Sequence, residues 1–266
     1  MQTVNNFVID RVLRGIMLST ADGSYMWSIN QITDPSLNIT SETAQAVDAL
    51  GSTIATFNRG KSAEFTASNS LFDLGLFAAQ NGVEKSIASV GSTIVAPYFE
   101  EFEVAQGDTT HILAYDPTED IAKVYILNGD GTLGDAYETA AAASATKFGW
   151  DSTSKTLTYP TSTGAPAVGT RFMVIYDYAM ESGVAVVGDA INFPKAGRFI
   201  LEVLGTDTCD PTTQIHAYLD FPNAKLDANV DISFTTDGNH PFTIQCQQNY
   251  CDPQKTLYKL VVPNEE

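Results

Sequence analysis

Within residues 61–68, Lys-Ser-Ala-Glu-Phe-Thr-Ala-Ser, polar and apolar side chains alternate from Ser62 onward: Ser62, Glu64, Thr66 and Ser68 against Ala63, Phe65 and Ala67. A period of two is the spacing of a strand with one wet and one buried face. It decides how the triplet just before it is read. Gly60-Lys61-Ser62 is the closing triplet of a phosphate-binding loop, but that loop needs a glycine five positions earlier and a helix directly after. Position 55 is Ala and a strand follows. Nucleotide binding is therefore set aside. Thr53–Phe57 also has strand character, so Asn58-Arg59-Gly60 is expected to be the turn of a β-hairpin.

Turn signals recur through the chain, at Asp22-Gly23, Asp34-Pro35, Asn128-Gly129, Asp130-Gly131 and Asp237-Gly238, with short β-branched and aromatic runs between them. Residues 24–32 place Tyr25, Trp27 and Ile29 on one face, and 214–221 do the same with Ile215, Ala217, Leu219 and Phe221. Residues 231–236 alternate Asp231, Ser233 and Thr235 against Ile232 and Phe234. Only 68–82 breaks the pattern: Ser70 and Asp73 at capping spacing, apolar Phe72, Leu76 and Phe77, and a closing Asn81-Gly82 predict one helix over 69–80. Asp22 to Ser52, with few apolar residues after Ile32, is expected to be a long connection. The middle third changes texture, with an Ala-rich run at 138–148, a Thr/Ser/Gly/Pro stretch at 158–172 expected as a surface loop, and strands at 123–127 and 171–180 that suggest a β-sandwich-like module. The fold class is mainly β, with a core formed by 1–84 and 189–266 and an inserted module over 85–188.

The charge limits the partners. The 32 acidic and 14 basic residues give −18, distributed as 8 against 4 in 1–84, 13 against 5 in 85–188 and 11 against 5 in 189–266. No segment carries the clustered Lys and Arg that grip phosphates. No run approaches the roughly 20 apolar residues of a membrane helix. The first fifteen residues lack the basic-then-apolar order of a signal peptide, so synthesis in the cytoplasm is expected. Cys209, Cys246 and Cys251 do not form a secreted disulfide framework.

Catalytic sets are thin. Glu101 and Glu103 share a strand face and, with Glu100, could be glycosidase carboxyls, but a Glu-rich exposed edge strand guarding against aggregation is the favoured reading. His111, His216 and His240 lie far apart, and the spacing of His240, Cys246 and Cys251 fits no common zinc motif. Residues 128–135 alternate Asn128, Asp130 and Thr132 like a calcium loop, with the glycine misplaced, and are expected to be a hairpin turn. No catalytic residue, metal or organic cofactor is expected. Trp150, Tyr159, Phe172 and Tyr176 are the aromatics that could serve a rival function, recognition of a sugar or protein by the middle module of a virion or cell-surface binding protein.

Residues 48–82, in the order strand, Arg/Gly/Lys turn, strand and helix, resemble the major tail tube proteins of tailed bacteriophages. Residues 193–246, with a Phe221-Pro222-Asn223-Ala224-Lys225 turn, are similar to that family's closing strands. The resemblance spans 1–84 and 189–262. It implies a structural virion protein of the phage tail whose subunits form rings, expected to be hexameric, with their sheets closing into one β-barrel around a channel and the rings stacking into a tube. It further implies other tail proteins as partners and DNA that passes without tight binding, with the middle module as a decoration on the outer wall. An acidic wall would not hold DNA. Candidate lumen-facing residues are Ser62, Glu64, Thr66 and Ser68, then Asp231, Ser233 and Thr235.

Overall fold

A computed structural model describes residues 6–208, 212–236 and 238–263, and divides the chain into two compact units, Met1–Lys85 with Val186–Glu266, and Ser86–Ala185. Cys209 and Asp237 lie outside the described residues. The first unit opens with β1 (Phe7–Leu18), β2 (Tyr25–Ile29), β3 (Ile32–Val47), β4 (Thr53–Asn69) and α1 (Leu74–Gln80). The middle unit holds β5 (Ser86–Ala88), β6 (Ile94–Glu103), β7 (Thr110–Ile112), β8 (Lys123–Leu127), β9 (Leu133–Ala140), β10 (Lys147–Asp151), β11 (Thr156–Thr158), β12 (Arg171–Met180) and β13 (Gly183–Ala185). The chain then completes the first unit with β14 (Ala196–Asp207), β15 (Gln214–Leu226), β16 (His240–Cys246) and β17 (Lys259–Val261). The protein is mainly β, as its alternating patterns require.

In the first unit one sheet runs β2-β1-β14-β15-β16-β4-β3, with β17 also on β15. On a flat sheet β14 and β4, three positions apart, would be separated by about 14 Å. The rings of Phe65 and Phe199 nevertheless meet at 6.1 Å, so the sheet curls around its apolar face. Phe65 also touches Phe221 and Phe242, at 6.0 and 6.1 Å, and Trp27 stacks on Phe199 at 5.6 Å. Ala63, Phe65 and Ala67 are all buried, the face their alternation assigns to the core. Leu76 of α1 joins the same cluster.

Several local expectations are corrected. Asn58-Arg59-Gly60 is not a turn. It lies inside β4, where Thr43 pairs with Asn58 and Ser41 with Lys61, leaving a bulge opposite Glu42. The true hairpin turn is at 48–52, where Asp48 Oδ1 accepts from the amides of Leu50 and Ser52 at 2.9 and 2.8 Å and Gly51 takes φ +84°. The Asp22–Ser52 connection is largely β2 and β3. The outer part of β3 is exposed on both faces, so its Ser, Thr and Asn residues carry no apolar rhythm to read. Phe221 to Lys225 is strand, within β15, rather than a turn. Residues 231–236 form no strand: Asp231, Ser233 and Thr235 are exposed in irregular chain and Phe234 leans on the Phe72 ring at 5.7 Å. Their alternation has no neighbouring strand to pair with. The helix starts later than 69, at Leu74, because Asp73 and not Ser70 caps it, accepting from the Leu76 amide at 2.7 Å. Tyr25 is exposed while Trp27 and Ile29 are buried, because Met17 pairs with Trp27 and Leu18 with Tyr25, so Met26 bulges and breaks the alternation.

The middle unit is a seven-stranded sheet in the order β6-β12-β8-β9-β10-β11-β7, with β9 and β10 parallel and the rest antiparallel, plus the β5–β13 pair. Its core is Phe148, Phe172, Leu157, Val124 and Val174. The strands expected at 123–127 and 171–180 are β8 and β12. Residues 128–132 are the turn between β8 and β9, with the Asn128 amide donating to Thr132 O at 2.9 Å and Asp130 Oδ1 accepting from the Thr132 amide at 3.0 Å.

Candidate wall and assembly surface

Every strand that sends apolar residues into the first unit's core sends their neighbours to the opposite face. On β4 these are Ser62, Glu64, Thr66 and Ser68. Register extends the set: Thr40 pairs with Ser62, Asn38 and Gln245 flank Glu64 from either side, and Ser36 and Thr243 flank Thr66. The Thr40 and Ser62 hydroxyls are hydrogen-bonded at 2.6 Å. This part of the sheet is a Ser/Thr/Asn/Gln surface with one exposed carboxylate, Glu64, and with Lys225 opposite Gln245 in the same row. Asp231, Ser233 and Thr235 lie off the sheet and do not extend it.

Further along the same face are charged residues that the sequence reading passed over. On β14 and β15 the partners of the apolar set are Arg198, Glu202, His216 and Asp220. Their signal was the polar half of the alternation whose apolar half was read at 214–221. Arg198 forms a two-pronged ion pair with Asp220, both contacts 2.8 Å. Glu202, buried to 7 % exposure, accepts from Arg14 Nε and lies 3.1 Å from His216 Nδ1. Both arginines are thus held by carboxylates of their own sheet, which raises their pKa above the usual value. The Arg14 hydrogen bond holds the Glu202 carboxyl below its ordinary 4.5, opposed by desolvation. A carboxyl depressed in the folded state stabilises above its unfolded pKa and loses that contribution as pH falls through the folded value. Acidification below about 4.5 should therefore lower the melting temperature of the wild type more than that of Glu202→Gln, and parallel curves would show that Glu202 is not so coupled.

Among the described residues no ladder closes the edges of this sheet, although β1 and β3 approach each other along part of their length within the subunit. β3 is its last strand, and β1 over Phe7–Arg14 pairs with β14 alone. β4 pairs with β16 only over Ala63–Asn69, so its first half and the outer half of β3 form a two-stranded arm. The arm exposes Val47, Leu50, Ile54 and Phe57, with Leu50 92 % exposed.

The other candidates resolve differently. β6 is an edge strand, and on it Glu101 pairs with Arg171 at 2.6 Å while Glu103 is exposed. Glu100 is buried and accepts from Tyr176 Oη at 2.6 Å and the Ala114 amide at 3.0 Å, with His111 Nε2 at 2.8 Å. This carboxylate organises the middle unit's core, and burial together with that bond raises the Tyr176 pKa. Tyr159, Phe172 and Tyr176 are themselves buried, and Trp150 donates to Asp120 at 2.9 Å, so these four do not form a recognition surface. Cys246 is buried, which pushes its thiol up to about 12, whereas Cys251 is exposed. Among the described residues no three His, Cys, Asp or Glu side chains gather as metal ligands, and no helix is long and apolar enough to cross a membrane.

These features define a mainly β, two-unit protein whose larger sheet has one apolar and one polar face and open strands at both ends. The YomU/Tube protein family matches residues 7–258, and the chain belongs to that family. The membership is consistent with a phage tail tube protein. It also runs through the middle unit, where the resemblance drawn from the sequence stops. A search among curated proteins finds no match to the chain.

Proposed function

We propose that this chain is the non-enzymatic structural subunit of a phage tail tube. Copies join edge to edge through β1 and β3 into a ring of six, so that their polar faces line one channel, and the rings stack into a tube with other tail proteins at its ends. The observation that carries this reading is the two-faced sheet with open strands at both edges. Unpaired edges invite pairing with another chain, and closure into a barrel removes them. The lining would be Ser62, Glu64, Thr66 and Ser68 with their cross-strand partners. A surface dominated by hydroxyls and amides, with Arg14 and Arg198 engaged by carboxylates and Lys225 and Arg11 as further cations, offers DNA phosphates few counterion-releasing contacts. DNA would then pass without being held, and the tube would be assembled in the host cytoplasm before joining the virion. The middle unit would decorate the outer wall. Electron microscopy of the purified chain tests the reading: rings or tubes are expected, and a chain that stays monomeric at high concentration contradicts it.

The arm would reach a neighbouring ring. A two-stranded ribbon is marginal in water, so its amides should exchange quickly in the monomer and slowly in tubes. Equal protection of residues 36–62 in both states would remove the arm from the contact.

A further inference from the structure

We propose that the tip of the β3–β4 arm docks on a second copy of this chain, against the apolar patch at the start of α1, making a head-to-tail contact. This names the site the arm reaches and rests on the tube reading above. The patch is formed by Leu71, Phe72, Leu74 and Phe234, exposed by 62, 45, 41 and 82 %, with the Phe72 and Phe234 rings 5.7 Å apart. The tip offers Val47, Leu50 and Ile54, exposed by 55, 92 and 70 %. Contiguous exposed apolar surface of this kind marks an interaction site.

Two observations choose the partner. The first is position. β4 starts at the tip with Thr53 and ends at Asn69, directly before the patch. Its sixteen steps of about 3.3 Å set the two surfaces roughly 50 Å apart along one strand. An arm pointing away from its own patch meets the patch of another copy, and such a heterologous contact repeats from copy to copy. The second is charge. Each copy carries −18 and repels the next, yet residues 36–62 hold two acids, Glu42 and Asp48, and two bases, Arg59 and Lys61, for a net of zero. The segments bearing the patch, 70–77 and 227–236, hold three acids, Asp73, Asp227 and Asp231, and no base. Asp231 is exposed, and among the described residues Arg59 and Lys61 make no salt bridge within the subunit. The arm as a whole therefore adds no net charge repulsion between acidic copies.

The test uses Leu50→Asp, at the tip, and Phe234→Asp, in the patch, in the full chain. Both positions are too exposed to matter for folding, which unchanged melting curves would verify. Sedimentation should show the wild type polymerising and each variant alone arrested at a smaller species. An equimolar mixture should roughly double that species' mass, because the intact arm of one variant meets the intact patch of the other and the next contact is blocked. Variants that polymerise like the wild type, or a mixture that keeps the separate masses, overturn the pairing while leaving the tube reading in place. A wild type that never polymerises overturns both.

Discussion

Phe65→Ala should destabilise the first unit by about 3–5 kcal/mol and abolish assembly. The side chain is 2 % exposed and its ring meets those of Phe199, Phe221 and Phe242, so truncation opens a cavity in the core around which the sheet curls. Native domains are stable by only about 5–15 kcal/mol, and a loss of this size takes a large share. The adjacent residue gives the opposite expectation. Glu64 faces away from the core, and Glu64→Lys should change stability by no more than about 0.5 kcal/mol, the usual range for surface changes. Its effect should fall on DNA. A lysine repeated around every ring places cations along the channel, and duplex retention by assembled tubes should rise at low salt and vanish at high salt. Tubes of Glu64→Lys that bind no more DNA than wild type would remove this strand from the lumen. A silent Phe65→Ala beside an unfolded Glu64→Lys would reverse the assignment of the two faces.

Phe172→Ala should unfold the middle unit selectively. The ring is fully buried and packs on Phe102, Phe148 and Tyr137 at 5.6, 5.2 and 6.0 Å, and its loss should again cost about 3–5 kcal/mol, now confined to Ser86–Ala185. Calorimetry should show one transition moved to lower temperature and one unchanged, with assembly retained. The stronger form replaces Ser86–Ala185 with a short Gly/Ser linker. Ser86 and Ala185 are paired across the β5–β13 ladder, where opposed Cα atoms lie about 5 Å apart, so a few residues close the gap at little entropic cost. Loss of soluble, assembling protein in either variant would show that the middle unit is required for the first to fold. The family match across this region makes that outcome informative, because it treats the middle as part of the common plan.

What the sequence determined by itself was the set of strands with one face buried. Residues 61–68 and 214–221 read correctly because alternation records the difference between core and water directly, and β8 and β12 read correctly for their β-branched and aromatic content. The tail-tube resemblance was legible in the order of strands and one capped helix, while the two turns also quoted for it, at Arg59-Gly60-Lys61 and Phe221–Lys225, are strand in the structure. The tertiary structure alone decided the rest. The outer half of β3 is a strand because β4 supplies its hydrogen bonds, and with neither face buried there it leaves no apolar rhythm. Asn58-Arg59-Gly60 has the composition of a turn, but the facing strand accommodates it as a bulge and moves the turn to Asp48–Ser52. Residues 231–236 alternate as well as any strand and are none, because no neighbour offers a ladder. The Arg14–Glu202–His216 cluster joins residues about 190 positions apart in the chain, a proximity set by sheet order and register, which local pattern does not encode.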